Sequence, residues 1–96
     1  MNLLLKTAFL YFSKIKVVHS IPGRLRLHIP GLDKVPDEMK KYEHYTTDII
    51  KFEEGVEEVK YSYITSKILL TYDVKKTNEK NILNWLNFVW KKIVDN

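Results

Sequence analysis

Apolar and polar positions along this chain follow two different periods. From Lys14 to Ile29 (KIKVVHSIPGRLRLHI) they alternate every second residue, in two runs broken by Ser20-Ile21-Pro22-Gly23, which predicts two strands joined by a turn. A pairing that opposes Ile15 to Leu27 and Val17 to Leu25 collects four apolar side chains on one face. Lys14, Lys16, Val18, Arg24, Arg26 and His28 then fall on the other. Residues 36–53 change to a helical period, with Val35, Met39, Tyr42, Thr46, Ile49 and Ile50 on one stripe. Pro36 suits the first turn of such a helix, Asp37 and Glu38 favour its N-terminus, and Gly55 stands just past its end. A second strand pair is expected over Val56 to Tyr63 and Lys67 to Tyr72, with a turn near Thr65-Ser66. After a loop from Asp73 to Lys76, Thr77 or Asn78 can cap a last helix whose apolar side is Ile82, Leu83, Leu86, Val89, Trp90 and Ile93.

The expected order is therefore ββαββα, two ββα units without sequence repetition. Such a chain folds as an α+β domain in which a four-stranded, antiparallel-rich sheet is covered on one face by two helices and left open on the other. At 96 residues there is room for one core only, so residues 14–96 form a single domain. Residues 1–13 precede it as an apolar arm (MNLLLKTAFLYFS) in which Leu3, Leu4, Leu5, Phe9 and Phe12 scatter round a helical wheel. A twelve-residue helix reaches about 18 Å, too short for a hydrocarbon core of roughly 30 Å. The arm also lacks a basic region before its leucines and a small-residue cleavage site, so a secretory signal is not expected and a cytoplasmic protein is. Two roles stay open for it: packing on this domain or on a second copy as a homo-oligomer contact, and dipping into a membrane surface.

Charge alters this picture because it is uneven. Residues 1–34 hold Lys6, Lys14, Lys16, Arg24, Arg26 and Lys34 against Asp33 alone, whereas residues 35–96 hold ten Lys against eleven acidic residues. The excess of cations points to anionic partners. Cysteine is absent, which excludes disulfides, thiolate metal sites and Cys nucleophiles.

The segment VHSIPGRLRLHIP (Val18 to Pro30), with Gly55-Val56-Glu57-Glu58-Val59 and Thr71-Tyr72-Asp73, resembles the heavy-metal-associated (HMA-like) domains that accompany metal-transporting P-type ATPases. The resemblance covers roughly residues 17–75 and implies a ferredoxin-like sandwich. Two departures are informative. Metal-transferring members carry a CxxC after the first core strand, where this chain has Pro30-Gly31-Leu32-Asp33, so copper-style transfer is not expected. No strand is expected after the last helix to serve as the fourth strand, which in that fold lies beside the first. The N-terminal strand at Lys14 to Val18 is expected to take its place.

Candidate chemistry is sparse. Imidazole can ligate haem iron or a divalent metal, and His19, at the expected turn, or His28, on the open face, could do so, although Arg24 and Arg26 repel a cation and no acidic residue completes a site. His44 falls opposite the helix's apolar stripe and should be exposed. Lys14, Lys16, Arg24 and Arg26, joined by Lys60 and Lys67, would form a basic face able to hold carboxylate or phosphate. The same face could equally be a solvated surface that guards an open sheet against aggregation. Base stacking on that face is not expected, because Val59, Tyr61 and Tyr63 share one parity and Ile68, Leu70 and Tyr72 point to the helices. No phosphate loop, HExxH or nucleophile triad is legible, so an enzyme is not expected.

These readings converge on a non-catalytic accessory domain of metal homeostasis that docks on a membrane surface or on a protein partner such as a P-type ATPase. The arm would insert or pack, and Lys14, Lys16, Arg24 and Arg26 would meet anionic groups. Iron suits the associated pathway best, since no soft-ligand site is visible. The competing class is a haem- or divalent-metal-binding protein using His19 or His28.

Overall fold

The computed structural model describes residues 14–95. Its elements are β1 (Lys16–Ile21), β2 (Arg24–His28), α1 (Glu43–Lys51), β3 (Val56–Ser62), β4 (Lys67–Tyr72) and α2 (Glu79–Asp95), with 3-10 turns at Leu32–Lys34 and Asp37–Tyr42. The strands form one antiparallel sheet in the order β1-β2-β4-β3. The α+β class, the four strands and the two helices are as the periodicity predicts.

Alternation decides which side chains enter the core. Leu25 lies opposite Leu70 and Leu27 opposite Ile68, so these four share one face of the sheet. Ile50 from α1 and Ile82, Leu86 and Val89 from α2 join them in one buried cluster with Ile29, Val56 and Tyr72. Both helices therefore cover the same face. Trp85 ties them together by donating its indole N–H to the Ile49 carbonyl at 2.8 Å. Asn78 caps α2, its side-chain oxygen accepting from the Asn81 amide at 2.9 Å.

The expected first helix divides in two. Residues 37–42 wind as a 3-10 run, in which positions i and i+3 eclipse, and Asp37 and Lys40 form an ion pair of 2.8 Å across that spacing. The α-helical hydrogen bonding begins only at Glu43.

The hairpin register differs from the expected one. Pro22 and Gly23 alone make the turn, with Gly23 at φ 86° as the second central residue of a type II turn requires, so Ile21 pairs with Arg24. One extra residue, Val18, is then accommodated as a bulge between Val17 and His19, and Val17 rather than Ile15 lies opposite Leu27. Ser20, not Val17, lies opposite Leu25.

Candidate functional site

The open sheet face can be read directly from the pairing. Its rows run Ile21–Arg24–Thr71–Glu58, His19–Arg26–Leu69–Lys60 and Lys16–His28–Lys67–Ser62 across β1, β2, β4 and β3. Neighbouring strands stand about 4.8 Å apart and successive same-face residues about 6.8 Å apart. Lys16, Arg24, Arg26, Lys60 and Lys67 thus share one surface with His19 and His28, around the half-buried Leu69.

At the paired positions of these rows one carboxylate, Glu58, stands on this surface, with the exposed Glu57 beside it as the extra residue of a bulge between Val56 and Glu58. Glu58 Oε2 lies 3.7 Å from Lys60 Nζ. Among the described residues the other ion pair is Lys40–Asp37, remote from the sheet's open side, so Lys16, Arg24, Arg26 and Lys67 meet no carboxylate there. Unpaired cations at strand spacing produce a field that falls off over about 10 Å in 0.1 M salt. Arg24 and Arg26 add forked donors suited to phosphate or carboxylate.

The expected site residues separate into groups. Lys16, Arg24, Arg26 and His28 stand on the open face. Lys14 is exposed and lies two residues before β1, outside the paired register. Val18 falls in the bulge, without a pairing partner of its own in β2, and His19, expected at the turn, takes a strand position opposite Arg26. Both changes follow from the two-residue turn, which lengthens β1 towards Ile21. Sequence parity missed His19 because a bulge has no signature in alternation. Leu3, Leu4, Leu5, Phe9 and Phe12 lie outside the described residues.

His19 and His28 flank Arg26, one across the strand pair and the other two residues along β2. Among the described residues no three His, Asp or Glu side chains gather as a metal site. His44 is exposed on α1, with Nδ1 2.9 Å from the Lys41 carbonyl oxygen.

No aromatic side chain stands on the open face among the described residues. Tyr61 and Tyr63 lie on the helix side, where the Tyr61 hydroxyl is 2.8 Å from Thr47 Oγ1 and the Tyr63 hydroxyl donates to Glu43 at 2.7 Å. Burial pushes the Tyr61 phenol up to about 12, with nearby Glu43 and Asp48 acting in the same direction against the Thr47 hydrogen bond. Tyr63 is raised as well, first by burial and then by the Glu43 carboxylate that holds its proton.

Two further surfaces frame this face. An open depression of about 340 Å³ at the hairpin end of the sheet, bordered by Pro22, Tyr72, Val74 and Thr77, carries Glu79 as its one carboxylate and none of the face's cations. On the helix layer Phe52, Trp85 and Phe88 stack with ring centroids 5.7 Å apart, and Phe52 and Phe88 are exposed. No described helix is long and apolar enough to cross a membrane. In comparison with known proteins the chain matches no family model, no curated protein and no solved structure.

Proposed function

We propose that this chain is a non-catalytic accessory domain of metal homeostasis that docks through its open, basic sheet face onto an anionic membrane surface. The observation that carries this reading is the grouping of Lys16, Arg24, Arg26 and Lys67 on one face, where the carboxylate at a paired position, Glu58, lies 3.7 Å from Lys60. The fold is a ferredoxin-like sandwich in which β1 occupies the position of the usual last strand. The order β1-β2-β4-β3 supports this, since it sets β1 antiparallel beside the first core strand. The HMA-like segment from Val18 to Pro30 supports a place beside metal-transporting P-type ATPases. The missing thiols favour iron over copper or zinc for that pathway, in a cytoplasmic protein peripheral to the membrane.

The test is co-sedimentation with vesicles. Binding is expected to vesicles containing anionic lipid, to be absent with zwitterionic lipid, and to weaken as salt rises. At about 1 kcal/mol per basic residue near a charged surface, the variant R24E/R26E loses binding by well over tenfold. Equal binding to both vesicle types, or indifference to the charge reversal, refutes membrane docking by this face. If neither vesicle type is bound but an acidic protein surface, such as that of a P-type ATPase, is held through the same arginines, the occupant is a protein.

A second reading rests on His19 and His28 flanking Arg26: a haem whose iron takes one imidazole while its propionates meet the neighbouring Arg and Lys. A Soret shift on adding haem that His19→Ala or His28→Ala abolishes would establish it. No shift rejects it.

A further inference from the structure

Among the described strands β1 is an edge whose protection is one lysine and one bulge. All six of its residues are exposed, with Val17, Val18 and Ile21 at 43, 47 and 43%, and Lys16 is its one charged side chain. The opposite edge, β3, carries Glu57, Glu58 and Lys60. The outward backbone groups of an apolar edge are a template for another strand.

The side-chain pattern of β1 says which strand fits. Lys16 faces the open side, Val17 the core side, Val18 and His19 occupy the bulge, Ser20 faces the core side and Ile21 the open side. Because the bulge shifts parity once, this pattern is the same from either end. We propose that β1 pairs antiparallel with β1 of a second copy about a two-fold axis between Val18 and His19, joining the two sheets into one of eight strands.

In the register that pairs all six residues, Lys16 lies opposite the partner's Ile21 and Val17 opposite the partner's Ser20. Each pair shares a face and no cation opposes another. A slip of one residue either way sets open-side against core-side positions. A pair of six-residue strands is smaller than the about 1,200–2,000 Å² of a standard stable interface, so the dimer forms with rising concentration rather than being obligate. It places two basic faces side by side on one surface, but it stands whether or not that surface binds lipid.

Sedimentation equilibrium of the full chain tests the proposal. The mass average is expected to climb from 11.4 kDa towards twice that value as concentration rises. Ile21→Lys sets a lysine opposite the partner's Lys16 at both symmetric positions and should weaken association at least tenfold, and the double variant K16E/I21K should restore it. A wild-type chain that stays monomeric into the millimolar range overturns the proposal. So does an Ile21→Lys variant that associates like wild type, which would put the contact elsewhere, residues 1–13 included. The register has an independent check in a chain without native cysteine. Mixed V17C and S20C variants should cross-link to each other far more than either does to itself, and equal yields of all three products refute the pairing.

Discussion

The Thr77 hydroxyl donates a 2.7 Å hydrogen bond to the Glu53 carboxylate, and this contact ties the start of α2 to the turn that leads into β3. Thr77 is 4% exposed, and the Asp73 amide donates to the Gly55 carbonyl beside it at 2.8 Å. Gly55 has φ 101°, and a Cβ there would stand 2.8 Å from the Lys76 Cβ and 3.0 Å from the Thr77 Cγ2. Two independent penalties meet at one position. Gly55→Ala is expected to cost about 1–3 kcal/mol from the backbone conformation alone, with the steric clash adding to it. Thr77→Val, which removes only the hydrogen bond, should cost about 1 kcal/mol because Glu53 is half-exposed and regains water. Urea denaturation of both variants reads the difference; equal stabilities would mean that the close approach at Gly55 relaxes freely.

Ser66 combines strain with compensation. It holds φ 55° outside glycine, is buried, donates its hydroxyl to Asp33 Oδ1 at 2.9 Å and accepts from the Asp33 amide at 3.0 Å. Ser66→Ala removes both bonds and keeps the strain, for a loss of about 1–3 kcal/mol. Ser66→Gly removes the bonds and relieves the strain, so it should be more stable than the alanine variant by about 1 kcal/mol. The reverse order in thermal melts would mean that the left-handed backbone is not a cost here.

Alkaline stability should reflect the two tyrosines. Tyr61 is raised to about 12 and Tyr63 is raised too, so the folded chain keeps protons that the unfolded chain releases near 10. Their contribution is intact below about pH 10 and is lost as pH climbs from there through the folded-state values. Tyr61→Phe should flatten the decline in stability between about pH 10 and 12, as measured by denaturation at fixed pH. An unchanged slope would place the alkaline sensitivity elsewhere.

Glu58 offers a gain-of-function test of the basic face. Glu58→Gln removes its carboxylate and releases Lys60 from the 3.7 Å pair. Affinity for anionic vesicles is expected to rise about fivefold, corresponding to roughly 1 kcal/mol per charge near the surface. A drop in affinity would show that the Glu58–Lys60 pair positions the face instead of diluting it.

The sheet was legible in the sequence because alternation at Leu25, Leu27, Ile68 and Leu70 survives any choice of neighbouring strand. The helices were legible because Ile82, Leu86 and Val89 recur at helical spacing. What the pattern could not supply was the pairing of β1. Turn length and a bulge shift register without altering composition, and a Pro-Gly pair fits a four-residue turn and a two-residue turn alike. The candidate site shows the same division. Arg24, Arg26 and His28 were placed by β2's own parity, whereas His19 depended on register and was misplaced, and Lys14 lies outside the paired strand. The grouping with Lys60 and Lys67 depended on strand order, which the sequence suggested through its resemblance to a known fold and not through spacing.

The bulge at Val18 has a consequence for how β1 tolerates change in length. Because Val18 is the surplus residue, removing it alone would leave Lys16, His19 and Ile21 on the open side and Val17 and Ser20 on the core side, in a regular hairpin. Inserting a residue there would demand a wider bulge, turn Lys16 and Val17 over together, or slide both two positions along β2 and take Val17 away from Leu27. Strands are usually the places where a single-residue deletion is most damaging, yet here one such deletion should be milder than an insertion at the same place, since the strand already carries one residue more than its pairing needs.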